Sequence, residues 1–199
     1  MQLLLIRHAL PALALVEEGA ADPPLTEEGR LQADRLPDAL SPYRIAKLFC
    51  SPQRRALETA APLATTRQLP VNRVEGLAEY DYGLDHYIPI DTARDLAPDS
   101  YARIRAGHLP DFVNAELFRT RVLDAVDEIV RSCEHSDTAV IVAHGGVINV
   151  LFQQVLGLER PLTFPIDYAS VSRLLISRSG ARRVASINET GHVRDMLRV

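Results

Sequence analysis

The stretch TAVIVA, residues 138–143, offers no polar face and stops abruptly at His144-Gly145-Gly146. A strand this short and this uniformly apolar has to be covered on both sides. That is the condition of a strand inside a parallel sheet with helices packed on each face. Two other runs have the same shape: residues 2–6 end at Arg7-His8, and residues 45–50 end at Ser51-Pro52. Each passes from apolar to polar where a strand would open onto a site, and in open α/β sheets ligands bind beyond the carboxyl ends of the strands.

The segments between these runs supply the helices. Residues 9–25 hold Gly19, Asp22, Pro23 and Pro24 and read as a loop leading to Thr26, an N-cap with Glu27 and Glu28 in the first turn. The helix that follows runs to about Leu36, where Pro37 should end or kink it. Ser51 as N-cap and Pro52 at the first helical position predict a second helix with Arg54 and Arg55 in its first turn. Residues 71–74 form a short third strand. Phe118, Val122, Ala125, Val126 and Ile129 recur at helical spacing, so residues 115–132 are an amphipathic helix. Gly145 and Gly146 lead into another helix, and residues 171–177 and 183–187 flank Ser179-Gly180 as a hairpin at the sheet edge. Residues 84–114 have no clean period, carry Pro89, Pro98 and Pro110, and read as an irregular insertion with short helical pieces. The predicted fold is α/β, a three-layer α/β/α sandwich with a mostly parallel sheet. One domain should span 1–199, with 84–114 lying over the site.

Composition narrows the function classes. A chain of 199 residues with 47% hydrophobic and 24% charged residues reads as an ordinary globular protein. The formal net charge of −4 argues against non-specific nucleic-acid binding. No run approaches a membrane span, and the apolar residues 3–6 meet Arg7 and His8 too soon for a signal-peptide core, so a cytoplasmic location is expected. Cys50 and Cys133 lack a CxxC spacing and are expected to be inert thiols. The basic residues are nearly all arginine, Lys47 being the sole lysine, a skew given no functional weight.

Three polar clusters carry the chemistry. Arg7-His8 follows the first strand. Ser51-Pro52-Gln53-Arg54-Arg55-Ala56-Leu57-Glu58-Thr59-Ala60 puts an arginine at a helix N-terminus, where backbone amides already favour an anion and a guanidinium adds a bidentate fork. In Ala143-His144-Gly145-Gly146, glycines let the backbone approach a ligand. Taken singly, each also fits a structural histidine, a solvated charged turn or a plain strand end. His8 and His144 as zinc ligands would lack a third ligand at convincing spacing.

In order and spacing these clusters resemble the histidine phosphatase superfamily, also called the phosphoglycerate mutase-like family. The resemblance extends to Leu25-Thr26-Glu27-Glu28-Gly29-Arg30-Leu31-Gln32-Ala33, similar to the family's first helix, and to Ala169-Ser170-Val171-Ser172, similar to its late strand. It implies a metal-independent phosphatase without a cofactor, acting on a small phosphate ester or another phosphorylated substrate. His8 would be the nucleophile forming a phosphohistidine, with Arg7, Arg55, His144 and Gly145 around the phosphoryl oxygens. The segment Leu77-Ala78-Glu79-Tyr80-Asp81-Tyr82-Gly83 resembles the family's acidic segment and implies Glu79 as general acid, with His144 also catalytic and Asp81 as reserve for Glu79.

The sequence departs from the pattern at Ala9, where the family has glycine. It also has Leu10-Pro11-Ala12-Leu13-Ala14 where the glycolytic mutases carry polar residues, which favours hydrolysis over a phosphoglycerate-type mutase. A phospholigand-binding regulatory protein without turnover is the other alternative. Substrate choice should lie in residues 9–24 and 84–114, with His86, Tyr87, Arg94, Arg103, Arg105 and His108 as residues that could reach a substrate. Substrate identity and oligomeric state stay open.

Overall fold

A computed structural model of the chain describes residues 1–197, apart from the side chain of Asp91. The last two positions of the expected 1–199 domain lie outside the described residues. Strand alternation sets up its layers. In β1 (Gln2–Arg7), Leu3 and Leu5 face one core while Leu4 and Ile6 face the other. The run 138–143 is β6 (Thr138–Ala143) and is buried at every position, its Ala139 and Ile141 facing the first core and its Val140 and Val142 the second. A strand with no solvent face needs helices on both sides, and it has them.

The elements follow in chain order. After β1 come β2 (Ala14–Leu15), α1 (Glu27–Asp34), α2 (Leu36–Ala39), β3 (Ile45–Cys50), α3 (Arg54–Arg67) and β4 (Val71–Arg73). The middle of the chain holds β5 (His86–Tyr87), α4 (Ile90–Leu96), α5 (Pro98–Arg105) and α6 (Ala115–Arg131). Then come β6, α7 (Gly145–Leu156), β7 (Val171–Ile176) and β8 (Arg182–Glu189). The six-stranded sheet has the order β4-β3-β6-β1-β7-β8. β4, β3, β6 and β1 run parallel, while β7 and β8 close the edge antiparallel. The hairpin turn places Gly180 at φ +83°, a left-handed angle that glycine adopts without strain.

Side-chain chemistry accounts for the helix boundaries. Thr26 caps α1 by accepting from the amide of Gly29 at 2.9 Å, a contribution of about 1 kcal/mol. The expected break falls at Arg35, and Pro37 sits in the first turn of α2, where its missing N–H is not needed. The apolar stripe of α6 (Phe118, Val122, Ala125, Val126, Ile129) covers one face of the sheet together with α7. Ala56, Ala60 and Leu63 of α3 cover the other face with Leu36 and Leu40. Among the described residues no helix is long and apolar enough to cross a membrane.

One boundary differs from the sequence expectation. α3 starts at Arg54 with Gln53 as its N-cap residue, not at Pro52 with Ser51 as cap. The Ser51 hydroxyl accepts from the Gln53 amide at 3.3 Å and meets the His144 ring at 2.7 Å. The extra residues place Arg55 at the second helical position with its side chain fully buried.

Candidate active site

β3, β6 and β1 are neighbours, and their registers pair Arg7 with Ala143 and Cys50 with Val142. The three strands therefore end level, which brings His8, Ser51 and His144 together although they are up to 136 positions apart in sequence. The ring centroids of His8 and His144 are 5.1 Å apart.

The His8 imidazole is buried, and its Nδ1 lies 2.8 Å from the Ala9 carbonyl oxygen. A carbonyl only accepts, so Nδ1 carries the proton and Nε2 keeps its lone pair. Burial, then the charges of Arg55 and Arg7, hold His8 well below the usual histidine range, so the ring is neutral. His144 is neutral for the same leading reason, burial, followed by Arg55 and His8. His144 Nε2 lies 2.7 Å from the Ser51 hydroxyl, which already accepts from the Gln53 amide at 3.3 Å; the hydroxyl's own proton is then free for Nε2, which leaves Nδ1 as a donor with no acceptor among the described residues.

Both arginines are anchored on one side and free on the other. Arg7 Nη1 donates to the Ile166 carbonyl, and its guanidinium stacks 3.8 Å from the centre of the Tyr168 ring. Arg55 Nη2 donates to both oxygens of Asp81, at 2.8 and 2.9 Å, and the guanidinium lies 4.4 Å above Tyr87. Burial alone would lower the Arg55 pKa, but the charges of Asp81 and Tyr87, the hydrogen bond to Asp81 and the charge of Glu79 together outweigh it, and the group is held charged. Arg7 Nε, Arg55 Nε and Arg55 Nη1 are buried without an acceptor among the described residues. Buried donors are nearly always paired in folded proteins, so this convergence beside His8 marks a place for an anion.

Glu79 is 7% exposed, with Oε2 accepting from the Gly146 amide at 2.8 Å and Oε1 from the Tyr80 amide at 3.2 Å. Burial and then the charge of Asp81 push its pKa up to about 7, against the opposing pull of those amides and of Arg55. Such a carboxyl can hold and release a proton near neutrality. A Cβ at position 146 would stand 2.4 Å from Glu79 Oε1, so a larger residue there would displace the Glu79 carboxylate from its present contact. Gln53 ties the acidic groups together: Nε2 donates to Asp81 and Oε1 accepts from the Glu79 amide.

Arg7, His8, Arg55, Glu79 and Gly145 line a cavity of about 440 Å³; His144 is not among its lining residues and is fully buried beside His8. Ala9, the departure from the glycine expected there, is accommodated. Its backbone is not left-handed, its amide donates to Thr59 at 2.9 Å, and its methyl packs with Leu25 and Ala33. Of the residues expected to reach a substrate, His86, Tyr87 and Arg105 line the cavity. Arg94, Arg103 and His108 do not. Arg103 is drawn away by Asp111 and the Leu109 carbonyl, and it shares a separate surface groove with His108.

The sequence pattern of the histidine phosphatase superfamily (branch 1) matches residues 3–190. The chain belongs to that superfamily. Phosphoserine phosphatase 1 of Hydrogenobacter thermophilus is 28% identical over 86% of this chain and 85% of its own length. The adenosylcobalamin/α-ribazole phosphatase of Escherichia coli is 27% identical over 91% of this chain and 93% of its own. A mycobacterial glucosyl-3-phosphoglycerate phosphatase, solved in complex with VO3, superposes with a TM-score of 0.77 at 26% identity, covering 94% of this chain and 98% of that one. This histidine phosphatase therefore has phosphatases as relatives across nearly its whole length, with the α/β sheet they share.

Sequence reasoning did not find Ser51 as a ring partner, Gln53, Tyr168 or the Ile166 carbonyl. The Ser-Pro motif drew attention to a helix start, and nothing local to the other three signals their role. Among the described residues, no group of three His, Cys, Asp or Glu side chains is placed to hold a metal ion. Cys50 is buried, and burial pushes its thiol pKa well up.

Proposed function

We propose that the chain is a phosphomonoesterase in which Nε2 of His8 takes the phosphoryl group from a small phosphate ester. The observation that carries this reading is the set of buried donors, Arg7 Nε, Arg55 Nε and Nη1, and His144 Nδ1, gathered around a neutral histidine with no acceptor of their own. They would bind the phosphoryl oxygens and stabilise charge on them as the ester bond breaks. In the first step Nε2 bonds to phosphorus, the P–O bond to the alcohol breaks, and the leaving oxygen takes a proton from Glu79. In the second, water bonds to phosphorus while giving its proton to the Glu79 carboxylate, and the N–P bond breaks to release inorganic phosphate. Asp81, with both oxygens on Arg55, positions that guanidinium; it is not the acid in this scheme.

Phosphate release from a panel of phosphate monoesters tests the reading. Activity should survive exhaustive chelation, because the cationic pocket supplies the electrostatic role a metal would otherwise fill. Complete loss with EDTA and rescue by added zinc or magnesium would contradict it. A requirement for a bisphosphate primer with little phosphate released would instead indicate a mutase. The cytoplasmic setting expected from the sequence belongs to the same proposal and is tested by fractionating cells that make the tagged protein.

The assignment of Glu79 has its own signature. Glu79→Gln should lower kcat/KM for alkyl phosphates by a factor on the order of a hundred, and far less for aryl phosphates, whose phenolates leave with little protonation. In the native enzyme kcat/KM should fall as pH rises through about 7, where the acid loses its proton, and Glu79→Gln should remove that limb. Equal losses for both ester classes would take Glu79 out of the mechanism.

A further inference from the structure

Beyond the phosphoryl pocket the cavity changes character. Ile90 and Ala93 of α4, Ala97 at the break between the helices, and Ser100 and Ile104 of α5 line the cavity, and none of them joins the three core clusters. The insertion thus turns these residues to the cavity and away from the core. Leu162, Phe164, Ile166 and Tyr87 line the same cavity. A volume of about 440 Å³ falls within the range of small-ligand sites, which are commonly apolar with a few polar groups fixing orientation.

The charges around this chamber argue in the same direction. Arg7 and Arg55 are the cations at the phosphoryl end, and both are committed there. Among the described residues the lining carboxylate besides Glu79 and Asp81 is Asp167, next in sequence to the residue whose carbonyl holds Arg7, and it is fixed by Asn188 Nδ2 at 2.8 Å. A second acidic group on the substrate, close to its ester, would face this carboxylate and apolar walls. Arg105 also lines the cavity, but the residue is exposed to solvent.

We infer that this enzyme selects phosphate monoesters of neutral, bulky apolar alcohols, aromatic or branched, over esters carrying a carboxylate beside the phosphate. The inference rests on the phosphatase reading for its kinetic arm and stands apart from it for binding. Such an alcohol would cover these apolar side chains, and a hydrophobic contact of a few carbons typically changes kcat/KM by about tenfold or more.

The test uses esters of matched leaving ability, all alkyl: benzyl phosphate, phosphoserine, 3-phosphoglycerate and phosphoethanolamine. Benzyl phosphate should have kcat/KM at least about tenfold above each of the others. Ile104→Asp should lower the ratio of benzyl phosphate to phosphoserine by a similar factor. A preference for either carboxylate ester, or for phosphoethanolamine, would overturn the inference. Calorimetry with benzylphosphonate and 3-phosphonopropionate, neither of which can be hydrolysed, separates the two claims. Tighter binding of benzylphosphonate without turnover of any ester would uphold the chamber and sink the phosphatase reading. Turnover with tighter binding of the carboxylate compound would do the reverse.

Discussion

Arg55→Lys should lower kcat/KM by a factor on the order of a hundred or more, while the protein stays folded. The guanidinium spans two tasks at once. Its Nη2 holds both oxygens of Asp81, and its Nε and Nη1 are the donors left for the phosphoryl group. A lysine ammonium is a single point. Placed on Asp81 it cannot reach the phosphoryl oxygens in the same geometry, and placed on the phosphoryl group it abandons Asp81. Removing the charge altogether is a poorer test, because Arg55 is fully buried and an unpaired Asp81 would destabilise the fold by about 3–5 kcal/mol. Lysine keeps the charge, so a thermal melt close to that of the native protein should accompany the kinetic loss. Turnover near the native value would move the phosphoryl site away from Arg55.

The sequence carries the framework of this site more clearly than its details, and the reason is physical. β6 and the α6 stripe are legible because burial on both faces, or on one face, writes a period into consecutive residues. The glycine at 146 is legible as a feature, yet its reason, a carboxylate 67 positions away that a methyl group would strike, exists only in three dimensions. The start of α3 was misread for a related cause. Ser51-Pro52 has the local chemistry of a helix cap, but its hydroxyl reaches only the Gln53 amide ahead of the helix and is shared with the His144 ring, a partner 93 positions away. Gln53 and Tyr168 act across loops on partners far away in the chain, and no spacing rule exposes them. Ala9 shows the converse. It looks like a defect against the family pattern, and it is absorbed because the backbone there needs no left-handed angle.

His8→Ala should have the largest effect of any single replacement, lowering kcat by a factor on the order of ten thousand or more, as loss of a nucleophile does where the surrounding pocket remains. The ring is small, neutral and held through Nδ1 by the Ala9 carbonyl, so its removal takes away Nε2 without leaving a buried charge behind. The phosphoryl pocket should still bind inorganic phosphate in this variant. Retained binding with lost turnover would separate a chemical role for His8 from a structural one.

Trapping the covalent intermediate tests the account most directly. The native enzyme and Glu79→Gln are mixed briefly with an aryl ester labelled in its phosphate, quenched without acid, since phosphohistidine is acid-labile, and digested for mapping. Label should appear on Nε2 of His8, accumulate further in Glu79→Gln because water attack is slowed, and be missing from His8→Ala. Label on any other residue, or turnover by the native enzyme with no label in either protein, would contradict phosphoryl transfer to His8.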